Sequence, residues 1–128
     1  ELSRFLLPLS EAGVDIFHCS QRRFWEPEFE GSDLNLAGWT RKITGKPAIT
    51  VGSVGLNADF IPVPGEVTFR EAEPASLDEL ERRLSDNEFD LVAVGRALIS
   101  NPSWVDMIRN DRPDDIKPFR KEHLGQLV

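Results

Sequence analysis

Cysteine is nearly missing from this sequence. Cys19 stands alone, so no internal disulfide can form and no Cys-x-x-Cys metal or redox pattern exists. One thiol fits a reducing compartment, and a cytoplasmic location is the expectation. Basic charge is scarce as well: 15 Lys and Arg stand against 22 Asp and Glu, a net charge of −7. Nonspecific nucleic-acid binding needs the opposite field, so nucleic acid is not an expected partner. No apolar run approaches the roughly 20 residues of a membrane-spanning helix, and no signal-peptide pattern opens the chain, so no membrane partner is expected. The dinucleotide pattern G-x-G-x-x-G and the Walker pattern are both absent. His18 and His123 are the only histidines and lie far apart in sequence, so no metal-ligand cluster forms on spacing. Nor does any spacing support a Ser-His-Asp set or a pair of carboxylates. No catalytic residue and no metal site are therefore nominated.

Methionine occurs once, at Met107, and the first residue is Glu1. A translation product normally begins with Met, so the sequence is expected to be part of a longer protein. What is present is globular in composition, with 40% hydrophobic and 29% charged residues among 128. That length predicts a single folded segment over residues 1–128.

Apolar spacing predicts helix, strand and helix in alternation. Leu2, Phe5, Leu6 and Leu9 share a helical face over residues 2–12, although Pro8 is expected to interrupt the first turns. Gly13 stops that helix, and residues 14–19 read as a strand. A long loop with Arg22, Arg23, three aromatics and three glutamates runs to about Asn35. It reads equally as a lid over a flat ligand or as a loop folded on its own aromatics, with an arginine paired to a glutamate. Residues 36–44 form a short helix ended by Gly45, and residues 48–52 a second strand. The loop from Ser53 to Ala75 carries Pro62, Pro64 and Pro74. Ser76 and Glu79 have capping-box spacing, and Leu77, Leu80 and Leu84 line the helix that follows, with Arg82 and Arg83 mostly on its polar side. Residues 91–95 are a continuously apolar third strand, as expected where both faces are covered. Asn101 is placed to cap a last helix with Pro102 at its first position. Strands separated by helices, with no hairpin signal, predict a parallel α/β fold whose long βα loops carry the chemistry.

Two of those strand ends share a feature. Thr50-Val51-Gly52-Ser53-Val54-Gly55 and Val92-Ala93-Val94-Gly95-Arg96-Ala97 each place glycine where a strand gives way to a loop. Glycine lets a backbone approach a ligand closely, loop amides can face an anion, and Arg96 can add a bidentate contact to phosphate. The opposing reading is that both glycines merely turn the chain and Arg96 is a surface charge. His18 reads as a packed or solvent-bonded histidine rather than a ligand contact, and Cys19 as a small buried residue.

Three segments in order, Phe24-Trp25-Glu26-Pro27-Glu28-Phe29-Glu30-Gly31-Ser32, Thr50 to Leu56, and Phe89-Asp90-Leu91-Val92-Ala93-Val94-Gly95-Arg96-Ala97-Leu98-Ile99-Ser100-Asn101-Pro102, resemble the Old Yellow Enzyme family. These are FMN-dependent NAD(P)H:flavin oxidoreductases and ene-reductases, flavoproteins built on a (β/α)₈ TIM barrel. The resemblance implies that residues 1–128 are an incomplete C-terminal segment of that barrel. Residues 14–19, 48–52 and 91–95 would be strands six to eight, and residues 2–12 the helix after the fifth. It also implies that the FMN phosphate is held by Gly52, Ser53 and Val54 after the seventh strand and by Gly95 and Arg96 after the eighth. FMN would be the cofactor, NADH or NADPH the electron donor, and an electron-poor alkene the substrate. The family's substrate-binding histidine pair and its tyrosine proton donor belong to earlier strands. This chain has no tyrosine, and His18 does not match the pair.

A (β/α)₈ barrel needs about 250 residues, and three strands cannot close one. Self-association as a homo-oligomer, most simply a dimer, is therefore expected, as is a lack of reductase activity in the isolated piece. The alternative from another class is a small non-enzymatic α/β module that binds a phosphate ligand or a partner protein.

Overall fold

Phe17 and Cys19 alternate with His18 and Ser20, and the strand they form, β1 (Phe17–Ser20), buries the first pair and exposes the second. The computed structural model describes residues 1–60 and 70–126, so Pro62 and Pro64 lie outside the described residues. Around β1 the chain runs α1 (Leu2–Glu11), β1, α2 (Leu36–Thr44), β2 (Ala48–Val51), α3 (Asp78–Ser85), β3 (Leu91–Val92), α4 (Arg96–Ser100) and α5 (Trp104–Arg109). Two short 3-10 turns follow, at Pro113–Asp115 and Lys121–Gly125. The three strands form one parallel sheet in the order β1-β2-β3, with Phe17 opposite Ala48 and Ile49 opposite Leu91. The expected α/β class and parallel order are thus present.

Every strand is shorter than the span expected for it, and β1 ends one residue later, at Ser20. Residues 14–16 precede the first pairing, the Phe17 N–H to the Pro47 carbonyl at 3.0 Å, and so have no ladder to join. At the other end the Ala93 N–H still reaches the Thr50 carbonyl at 2.9 Å, after which the chain turns away toward α4. Apolarity marks what is buried; pairing decides what is strand.

Helix α1 continues through Pro8, against the expected interruption. Proline removes one hydrogen bond and crowds the turn before it. Buried Leu6 anchors that turn, and beyond it the Ala12 N–H still donates to the Pro8 carbonyl. Helix α2 is set by Asn35, whose side chain accepts from the Gly38 N–H at 2.8 Å, and ends at Gly45 in the left-handed region, φ +67°. Helix α2 packs on β1, β2 and α1. Ala37 and Ala48, both without exposed surface, are the small residues that permit a close approach.

Helix α3 begins at Asp78, and the Glu79 carboxylate accepts from Arg82 and Arg83. One local expectation is corrected. Asn101 does not cap α5. It ends α4 and is buried, where its amide donates to the carbonyls of Ala97 and Lys117 and accepts from the Lys117 N–H at 2.8 Å. A side chain that matches both backbone groups of Lys117 is worth more there than one N-cap bond on a six-residue helix.

Contacts divide the chain into two compact units. One comprises Glu1–Gly52 with Asp78–Ala93 and holds the sheet; the other comprises Ser53–Leu77 with Val94–Val128. The second has a core of Val54, Leu56, Ala72, Ala97, Trp104 and Phe119. Its frame is a pair of antiparallel bridges, Leu56 with Pro74 and Ala72 with Phe119.

Candidate functional site

The long loop after β1 folds on itself. Phe24 and Trp25 meet edge to face at 5.2 Å, Phe29 and Trp39 at 5.6 Å, and Arg23 pairs with Glu26. Asn35 ties the loop to the sheet by donating to the Phe24 carbonyl at 2.8 Å and to the Thr50 hydroxyl at 3.1 Å. Arg83, expected on a polar face, is 4% exposed and serves as the loop's second tie. It donates to the carbonyls of Trp25 and Asp33 and to the carboxylates of Glu79 and Glu88. Of the two sequence readings of this loop, self-packing is the one present.

Gly52 closes this unit. Its φ of +148° is outside the range ordinary side chains adopt, and a side chain there would overlap the Gln21 carbonyl oxygen and lie 3.1 Å from the Phe24 amide nitrogen. The Phe24 N–H in turn donates to the Gly52 carbonyl at 3.0 Å. Glycine is therefore required at position 52 by the β1–α2 loop passing over it.

The other four nominated residues fall in the second unit. Ser53, φ +52°, and Gly55, φ +69°, bend the chain sharply, and the Leu56 N–H closes the turn on the Ser53 carbonyl at 3.1 Å. The amides of Val54 and Gly55 have no backbone acceptor among the described residues. Gly95 precedes α4, accepts from the Leu98 N–H at 3.0 Å, and would direct a Cβ into open space.

Arg96, the first residue of α4, joins these two segments. Its Nη2 donates to the Ser53 hydroxyl at 3.2 Å and to the Ala58 carbonyl at 2.6 Å. The guanidinium lies over the rings of Phe60 and Phe119, at 5.6 and 5.4 Å. Its Nη1 is buried with no acceptor among the described residues. Burial pulls the arginine below its ordinary pKa, and the buried carboxylate of Asp59 opposes that shift. Arg96 is thus a half-buried cation whose Nη1 lacks an acceptor among the described residues. Sequence reasoning found Arg96 but not Ala58, Asp59, Phe60 or Phe119. They lie in a loop and in the tail, where no periodicity singles them out.

This arrangement suits an anion. It offers a cation, a tight turn whose Val54 and Gly55 amides have no backbone acceptor among the described residues, and a glycine facing open space. It holds no acid–base pair. His18 is exposed on β1. The Ser100 hydroxyl and His123 Nδ1 share a hydrogen bond of 2.8 Å, and the Arg120 N–H lies 3.4 Å from the same nitrogen. Among the described residues no carboxylate is hydrogen-bonded to His123, so the pair holds the tail on α4 and is no triad. Cys19 is buried against the Thr40 hydroxyl, and burial raises its pKa, which keeps the thiol protonated. Among the described residues no group of His, Cys, Asp and Glu can hold a metal ion, and no helix is long and apolar enough to cross a membrane.

No family model matches the chain. It is similar to NADH oxidase of Thermoanaerobacter brockii, with 30% identity over 125 residues and 91% of this chain covered. The chain spans 16% of the length of that protein.

Proposed function

We propose that this chain is part of an NADH-dependent flavin oxidoreductase and supplies the site for the flavin's phosphate. Arg96 carries the reading. A half-buried guanidinium whose buried Nη1 lacks an acceptor among the described residues, beside a tight backbone turn, is better satisfied when an anion completes it. The similarity to an NADH oxidase and the motif resemblance support reading that anion as the phosphate of FMN. Arg96 would bind it, Val54 would offer a turn amide beside Ser53, and Gly95 would leave room. Gly52 would act indirectly by shaping the entry to the turn. Bound there, the flavin would supply electron transfer between NADH and an acceptor, and this chain's residues would anchor and orient it.

At finer grain we propose the Old Yellow Enzyme type. The three parallel strands would be the sixth to eighth of a (β/α)₈ barrel, the electron donor NADH or NADPH, the substrate an electron-poor alkene and the location cytoplasmic. The piece alone would be no reductase, because nothing in it is nominated to contact the flavin ring.

Titration of the full-length protein with FMN and with riboflavin tests this reading. FMN should bind more tightly, and Arg96→Ala should weaken FMN by about 10- to 100-fold, the worth of charge-assisted hydrogen bonds, without moving riboflavin. Equal affinity for the two flavins would overturn it.

A further inference from the structure

In the unit of residues 53–77 and 94–128, two buried N–H groups have no acceptor among the described residues, Arg96 Nη1 and Trp104 Nε1. The first belongs to the anion site; the second is unexplained by it. Trp104 is 6% exposed, and its ring lies against the backbone of Gly55. A Cβ at Gly55 would meet Cζ2 of the indole at 3.1 Å and Cε2 at 3.5 Å. The Gly55 carbonyl also accepts from the Ala75 N–H at 3.0 Å. Gly55 is thus gripped by a ring and by a hydrogen bond, in a conformation that favours glycine.

Trp104 is itself fixed relative to Arg96. Its backbone N–H donates to the Asn101 carbonyl at 2.9 Å, and the Asn101 side chain is bonded to Ala97, the residue after Arg96, and to Lys117. A continuous set of contacts therefore runs from Arg96 along α4, through Asn101 and Trp104, to the far end of the turn that Arg96 touches at Ser53. The indole N–H contributes no hydrogen bond, and burying it costs free energy that phenylalanine would not incur. The reach of the six-membered ring is what tryptophan adds.

We infer that Trp104 is a positioning residue of the anion site, holding the Val54–Gly55 turn in the place where its amides and Arg96 serve one anion. The inference rests on the anion reading given above. Groups that fix a binding residue matter because a site displaced by about an ångström loses much of its affinity.

The test is a titration of the ¹⁵N-labelled chain with inorganic phosphate, followed at the Val54, Gly55 and Arg96 amides and at the Trp104 indole N–H. Saturable shifts confined to these signals are expected. Trp104→Phe should keep a dispersed spectrum yet bind phosphate about tenfold more weakly, the coupling typical of residues in contact. Leu80→Ala, a core truncation in the other unit, should lower the melting temperature and leave phosphate affinity unchanged. If Trp104→Phe does not fold, Gly55→Ala takes its place: the new methyl presses on the same ring, and the same weakening is expected. Unchanged phosphate affinity in whichever of the two variants folds, or a loss no larger than that of Leu80→Ala, overturns the inference alone. No phosphate response in the unmutated chain overturns the anion site and the inference together.

Discussion

The carbonyl oxygen of Gln21 occupies the space that a side chain on Gly52 would need, whereas Gly95, its counterpart before α4, faces open space. The two glycines that look alike in sequence therefore have different duties. Gly52→Ala should destabilise the fold by about 2 kcal/mol or more, through overlap and a φ that alanine resists. Gly95→Ala should change stability by less than about 0.5 kcal/mol and act on anion binding instead. Urea midpoints of the two variants measure this. Equal losses of stability would show that Gly95 too is held by packing.

Arg83 gathers two backbone carbonyls and two carboxylates around one guanidinium whose side chain is 5% exposed. Arg83→Met would leave Glu88, whose side chain is 10% exposed, without its cation. A loss of about 3 kcal/mol is expected in denaturant unfolding, since removing one partner of a buried pair strands the other charge. Arg83→Lys should recover little, because an ammonium cannot present the same planar set of donors. A methionine variant as stable as the parent would mean that these bonds only break even with burial.

Acid should unfold the chain partly through Glu79. Hydrogen bonds from Arg82 and then Arg83 lower its pKa from 4.5 to about 2. The folded state thus holds its proton more weakly than the unfolded one. Stability from this carboxylate is complete above the unfolded value and fades as pH falls through the folded one. The difference in stability between the parent and Glu79→Gln should be largest near neutrality and shrink between about pH 5 and pH 2. Because Glu79 is partly exposed, added salt should reduce it. A difference independent of pH would remove Glu79 from the explanation of acid unfolding.

One face of the sheet carries exposed His18, Ser20 and Leu91, the last 52% exposed, with Ile49 and Val51 half-buried between them. Self-association through this face is the proposal retained from the sequence. Sedimentation at micromolar concentration should give a dimer, and Leu91→Glu should return a monomer. A monodisperse parent monomer would end the idea.

Parallel order and helix α2 were legible because each rests on short-range pattern: apolar runs between glycines, and a helical stretch closed by Gly45. Long-range pairing was not legible. β3 keeps only Leu91 and Val92 because its register with Ile49 and Thr50 ends there, and nothing within residues 91–95 encodes that. Arg83 sits among polar neighbours and reads as surface, yet its burial depends on the Trp25 and Asp33 carbonyls more than fifty positions away or close to it. Asn101 before Pro102 is a sound N-cap signal that loses to a better partner, Lys117. The aromatic flanks of Arg96, Phe60 and Phe119, come from loop and tail, where sequence pattern carries no register.

Phosphorus NMR of FMN in the presence of this chain observes the proposed contact directly, without requiring the flavin ring to be held. The phosphate resonance should broaden or shift as the chain is added, and Arg96→Ala should abolish the effect. A resonance that stays unchanged, or that responds equally to the Arg96→Ala variant, would contradict an anion site at this guanidinium.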